Sequence, residues 1–170
     1  ARAAEDAFVA KGFGVNRRDV MYNDFVIVGP PENPAGINQN DSAYEAFQKI
    51  AENSSPFASR GDNSGTHKKE KQIWNQTNIT PAGNWYLETG QGMGQTLTIT
   101  NEKQAYCMTD RGTYIAYRAK IDLTILCQND PGLFNPYGVI AVNPARHSHV
   151  KYTHVMTLIG WLTSPEGQRI

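Results

Sequence analysis

The stretch ASRGDNSGTHKKE, residues 58–70, sets one arginine among Ser, Gly, Asp, Asn and Thr, directly ahead of a helix-like run. Three chemistries share these letters. RGD (60–62) matches an adhesion tripeptide by letter only, because three-residue matches recur by chance. GDNSGTH has the outline of a serine-hydrolase loop with Ser64 as nucleophile. Its His67, however, falls in the first helical turn, and no G-x-S-x-G elbow is present. A separate base would have to come from His147, His149 or His154, with an acid to orient it.

The anion reading uses more of the residues. PFASR (56–60) reads as a short strand, and a tight loop leads into a helix over roughly 64–75. The first N–H groups of that helix, from Ser64, Gly65 and Thr66, lack intrahelical partners and sit at the positive end of its dipole. Gly61 and Gly65 let backbone approach a ligand closely. Ser59, Ser64 and Thr66 add hydroxyls, and Arg60 adds a permanent charge on a planar fork of donors. Asp62 is placed to hold the guanidinium or cap the helix, so its carboxylate reads as structural. The plainer alternative is a helix capped by Asp62 and Asn63, with Arg60 solvated.

Working outward, WYLET (85–89) reads as a strand followed by a second glycine-rich turn, GQGMG (90–94). It matches neither GxGxxG nor a P-loop. Loops at the C-terminal edge of an α/β sheet converge on one crevice. The amides of Met93 and Gly94 are therefore candidates to complete a donor cage, and Met93 as core filler fits equally well. TDRGT (109–113) repeats the grammar, with Thr109 and Asp110 as caps and Arg111 pairing an acid or lining the cleft.

The remaining elements fit an α/β pattern. Helices are expected over 1–12, 42–52, 110–120 and 150–164, the last with Val155, Leu158, Ile159 and Leu162 on one side, and over 96–103, where Thr and Ile favour a strand but the Gly-rich turn ahead of it fits a helix. Ser42 and Glu45 form a capping box. Strands are expected over 21–31, 105–109, 122–128 and 135–144. Short apolar strands alternating with helices argue for mostly parallel pairing. The strands at 21–30 and 135–143 bracket an insert and are candidates for crossings between two lobes.

Composition excludes several classes. Lys plus Arg and Asp plus Glu are both 16, so there is no basic excess for nucleic acid. No apolar run approaches the roughly 18 residues of a spanning helix, so membrane insertion is not expected. Cys107 and Cys127 form no CxxC, which argues against structural zinc, and one disulfide or two buried thiols both fit. No signal peptide is visible. The chain opens inside a helix without a capping residue, as expected of a processed or truncated piece. Asn40, Asn53, Asn75 and Asn78 stand in Asn-x-Ser/Thr sites, compatible with a glycosylating secretory host.

SRGDNSGTHKKE, WYLETGQGMG, TDRGTY, NPYGVIAVNP and WLTSPEGQ, in this order over nearly the whole chain, resemble the tungstate-binding proteins of ABC importers. MYNDFVIVGP and the preceding GFGVNRRDV fit too. The RGDNSGT stretch also looks like the loop of phosphate-binding proteins. The resemblance implies an α/β, periplasmic-binding-protein-like (type II) two-lobed fold with one lobe complete and the other partial. Residues 1–29 and 137–170 would be the remnant of lobe I with its hinge strands, and 30–136 would be lobe II with the anion-binding loops. It implies high-affinity binding of a tetrahedral oxyanion, tungstate or molybdate, by Arg60, Ser64, Gly65 and Thr66, then Ser59, with the Met93 and Gly94 amides. No residue would ligate a metal cation directly, no cofactor or catalysis is expected, and the cargo would pass to ABC permease subunits. The carrier would be a periplasmic or secreted monomer.

The chain departs from the family pattern at three points. The Thr/Ser-rich loop of the first lobe, which supplies half of the donors, is absent. Asn129 and Gly132 stand where charged residues are usual, and the two cysteines are unusual. Alternatives are a phosphate- or sulfate-binding protein of the same fold, a sensor or orphan secreted protein, and a hydrolase using Ser64.

Overall fold

The computed structural model describes residues 2–169. The chain forms two compact units, Ala1–Tyr22 with Asn135–Ile170, and Asn23–Phe134. These boundaries differ from the expected 29/30 and 136/137. The apolar end of the first long strand lies in the inserted unit, because Phe25 to Val28 supply both of that unit's core clusters.

The first unit holds helix α1 (Arg2–Ala10), the start of strand β1 (Gly14–Gly29), strand β6 (Phe134–Val142) and helix α6 (Tyr152–Leu162). β6 pairs with β1. Arg17 donates to Glu5 at 2.8 Å and reaches Asp19 at 2.6 Å. β1 is longer than expected because its first half, GVNRRDV, carries charges that hide a strand from an apolar pattern. Among the described residues of this unit only Gly14, Ala141 and Ile159 are buried. Leu158, expected on the inner side of α6, is 54% exposed.

The second unit carries α2 (Ala43–Glu52), β2 (Phe57–Ser59), α3 (Gly65–Gln76), β3 (Tyr86–Glu88), α4 (Met93–Glu102), β4 (Cys107–Asp110), α5 (Arg111–Tyr117) and β5 (Thr124–Cys127). The Ser42–Glu45 capping box forms as expected. α4 is a helix despite its threonines: Thr98 and Thr100 return their hydroxyls to the carbonyls of Gly94 and Thr96.

Pairing corrects the parallel expectation. β1 runs antiparallel to both β4 and β5. β2 and β3 pair in parallel, and a parallel bridge joins Phe57 and Tyr106. The unbroken apolar run of β1 reflects burial on both faces, which a parallel strand would share. Phe25 and Ile27 enter a cluster with Phe47, Phe57 and Trp74, while Val26 and Val28 enter one with Met93, Leu97 and Tyr114.

Both cysteines are free and buried. β1 lies between them, since Val28 is opposite Cys107 and Ile27 opposite Cys127. Two strand spacings put them about 9–10 Å apart, beyond disulfide reach. Burial pushes each thiol up to about 12. The native protein is therefore expected to leave both unmodified by an aromatic disulfide reagent at neutral pH, and to release two equivalents of thiolate on unfolding. Among the described residues no helix is long and apolar enough to cross a membrane.

Candidate functional site

β2 and β3 are parallel and in register, with Ser59 opposite Glu88. The loops that follow them therefore leave the same sheet edge. Thr89 ties them together. Its N–H donates to the Ser59 carbonyl at 2.9 Å, its hydroxyl reaches the Arg60 carbonyl at 3.5 Å, and it pairs with the Thr96 hydroxyl at 2.9 Å. Each loop then opens a helix, α3 behind Ser64 and α4 behind Gly92.

The first loop needs left-handed backbone at Gly61 (φ +62°) and Asn63 (φ 58°). Gly61 is also sterically required, because a Cβ there would lie 2.8 Å from Glu88 Cβ. Asp62 is structural, as its position implied: it pairs with Arg60 and accepts the Ser64 N–H at 3.1 Å. Burial opposes its charge, but the Ser64 hydrogen bonds and Arg60 outweigh it and hold the carboxyl below its usual range. The Nε of Arg60 is buried with no hydrogen-bond partner among the described residues. A guanidinium N–H left so costs free energy unless something occupies the position it faces.

At the start of α3 the donors divide. The Ser64 N–H, counted above as free, is engaged by Asp62, and its Oγ accepts the His67 N–H at 3.3 Å as the N-cap. Gly65 and Thr66 N–H have no acceptor among the described residues, nor has the Thr66 hydroxyl. The space before Gly65 is open, since an added Cβ would meet nothing within 4 Å. At the start of α4 no side chain caps the helix, and Met93 and Gly94 N–H likewise lack acceptors among the described residues. The Met93 side chain packs in the core with Val26 and Leu97, so only its amide faces outward chemistry. Gly94 makes room for Tyr117, whose hydroxyl would lie 2.2 Å from an added Cβ.

Ser59 departs from its expected role. It is 0% exposed and gives its hydroxyl hydrogen to Glu70 at 2.8 Å while accepting the Gly61 N–H at 3.2 Å. Glu70, which the sequence reading passed over, is 2% exposed. It also accepts Trp74 Nε1–H at 3.2 Å and the Tyr86 hydroxyl at 2.7 Å. Burial pushes its carboxyl up, against the pull of those three donors. The KKEKQ run reads as solvated charge, but Thr66, Glu70, Ile73 and Trp74 share one helical stripe, and that phase marks Glu70 as inward.

His67 is buried, and its Nδ1 accepts the Asn63 N–H at 3.0 Å. The ring thus shapes the loop and does not meet Ser64 Oγ as a base would. Asp110 caps α5 through the Thr113 N–H and hydroxyl, and Arg111 grips Asp24 with two nitrogens at 2.8 and 2.6 Å. Among the described residues no cluster of three or more His, Cys, Asp or Glu is arranged to hold a metal ion.

The geometry has close counterparts. The PBP superfamily domain profile matches residues 1–166. A Haloferax volcanii protein described as a candidate ABC transporter anion-binding protein is 51% identical, over 100% of this chain and 51% of its own length. The tungstate-binding protein TupA of Peptoclostridium acidaminophilum is 43% identical, over 99% of this chain and 60% of its own length. The crystal structure of the tungstate ABC transporter from Geobacter sulfurreducens is 56% identical with a TM-score of 0.87, covering 99% of this chain and 72% of that one. The chain thus spans about half to three-fifths of the curated relatives it matches. It belongs to the PBP superfamily and, within it, to the family of the tungstate-binding proteins.

Proposed function

We propose that the whole protein captures a tetrahedral oxyanion, tungstate or molybdate, in the periplasm or outside the cell and delivers it to ABC permease subunits. The observation that carries this reading is the unpartnered Arg60 Nε together with N–H groups that lack acceptors at the starts of two helices behind neighbouring loops, Gly65 and Thr66 on α3 and Met93 and Gly94 on α4. Arg60, Gly65 and Thr66 bind through N–H and hydroxyl donors, Ser64 orders the turn as N-cap, and the two α4 amides complete the donor set. Ser59 supports the turn from behind.

A site made only of donors suits a dianion that carries no proton at neutral pH, whereas monohydrogen phosphate also needs an acceptor. The carboxylate within the loop, Asp62, is already engaged by Arg60 and Ser64. Charge-assisted hydrogen bonds contribute about 1.5–3 kcal/mol each, so a few of them in a preordered turn sustain tight binding after ordering costs. The anion is cargo and not a cofactor, no bond is made or broken, and the carrier acts as a monomer. The names of the relatives support the same reading.

Calorimetric titration of the full-length protein with tungstate, molybdate, sulfate and phosphate tests this. Tungstate and molybdate are expected to bind tightly, with no displacement by equal sulfate or phosphate. Equal competition by phosphate would replace this reading with the phosphate-carrier alternative. Labelling of Ser64 by a fluorophosphonate would replace it with the hydrolase alternative.

A further inference from the structure

Glu70 is an odd neighbour for an anion site. Its buried carboxylate sits one hydroxyl behind the loop: Ser59 Oγ donates to it at 2.8 Å and accepts the Gly61 N–H at 3.2 Å. All three of its hydrogen-bond partners are neutral, namely Ser59 on β2, Trp74 on α3 and Tyr86 on β3. No ion pair is formed by Glu70 among the described residues. The titratable groups around it are His67 on its own helix, Tyr86 and, beyond it, Glu88 on β3, and the Cys107 thiol on β4. Arg60 and Asp62 lie in the loop after β2 and neutralise each other.

The charge balance follows. A dianion arriving at this loop meets a self-compensated Arg60–Asp62 pair and, behind it, a buried carboxylate of its own sign. Like charges in a poorly solvated corner repel. The shell of Glu70 is built to tolerate loss of its charge. Trp74 is a fixed donor to Oε1, but the groups at hand for Oε2 include the Ser59 hydroxyl, which can donate or accept. A proton on Oε2 would be donated to Ser59 Oγ, which would still accept the Gly61 N–H and could turn its own hydrogen to the Tyr86 oxygen, so the loop keeps its support in both states.

We propose that Glu70 is a positioning residue of the anion loop, acting through Ser59, and that it takes up one proton from solvent when the oxyanion binds. This rests on the oxyanion reading above. The proton's contribution to affinity is complete where the free protein already holds Glu70 protonated, and the number of protons taken up is greatest between the titration of the free protein and that of the complex. Tungstate affinity then falls as pH rises through the titration of Glu70, by up to about tenfold per pH unit for a single linked proton.

The test is calorimetry of tungstate binding to the full-length protein in buffers of contrasting ionisation enthalpy, on wild type, Glu70→Gln and His67→Gln. In wild type and His67→Gln the observed enthalpy is expected to change with the buffer in the sense of proton uptake. In Glu70→Gln the dependence is expected to vanish while binding persists. A wild type that binds without proton uptake, or a dependence that survives in Glu70→Gln, overturns the proposal and leaves oxyanion binding intact. A wild type that does not bind tungstate overturns both. Infrared difference spectra of the wild type provide a readout independent of the variants' folding: a protonated-carboxyl stretch is expected to appear on tungstate addition, and its absence counts against Glu70.

Discussion

Arg60→Ala is expected to weaken tungstate binding at least tenfold in a calorimetric titration of the full-length protein, with the unfolding midpoint little changed. The Arg60 Nε–H has no partner among the described residues, and on the proposed reading the guanidinium supplies a charge-assisted bond of about 1.5–3 kcal/mol that the substitution deletes. Removal also releases Asp62 from its pair, leaving a carboxylate facing the incoming dianion. Both effects act in the same direction. Arg60→Lys is expected to recover only part of the loss, because an ammonium on a flexible stem does not reproduce the planar fork. Unchanged affinity in Arg60→Ala would remove Arg60 from the site.

Trp74→Ala has the largest expected effect on stability, a loss of about 3–5 kcal/mol by denaturant titration. Trp74 is fully enclosed and meets Phe47 with ring centroids 4.3 Å apart, Phe57 at 5.4 Å and Trp85 at 5.8 Å. It also supplies the fixed donor to Glu70. Trp74→Phe retains most of the packing but not the N–H, so comparing the two variants separates cavity formation from the loss of one of the three donors to Glu70. A loss below about 1 kcal/mol for Trp74→Ala would show that the aromatic cluster is not the main support of this unit.

The sequence disclosed local grammar better than pairing. The strand, turn and capped helix around residues 56–76 were legible because Gly61, Asn63 and Ser64 are residue types chosen by backbone geometry. Strand direction was not, since β1 owes its apolar run to burial on both faces, and that pattern carries no sign of parallel or antiparallel neighbours. The charged first half of β1 was missed for the converse reason: Arg17 spends its charge on Glu5 and Asp19, and such pairing is invisible until the fold brings the partners together.

At the candidate site, sequence marked a donor-rich turn but could not show which of its donors are already engaged. Whether Ser64 N–H is free depends on where Asp62 points, and whether Ser59 can donate outward depends on Glu70, eleven residues away in sequence. Asp62 and Glu70 are both carboxylates near one loop, and only tertiary contacts separate the charge that trims the mouth from the one that sits behind it.

With β1 standing between Cys107 and Cys127, no covalent staple contributes to the stability of this unit. Its cohesion comes from non-covalent contacts, so its folding needs neither a thiol oxidant nor a disulfide isomerase. Glutathione or dithiothreitol is expected to leave its architecture as it is.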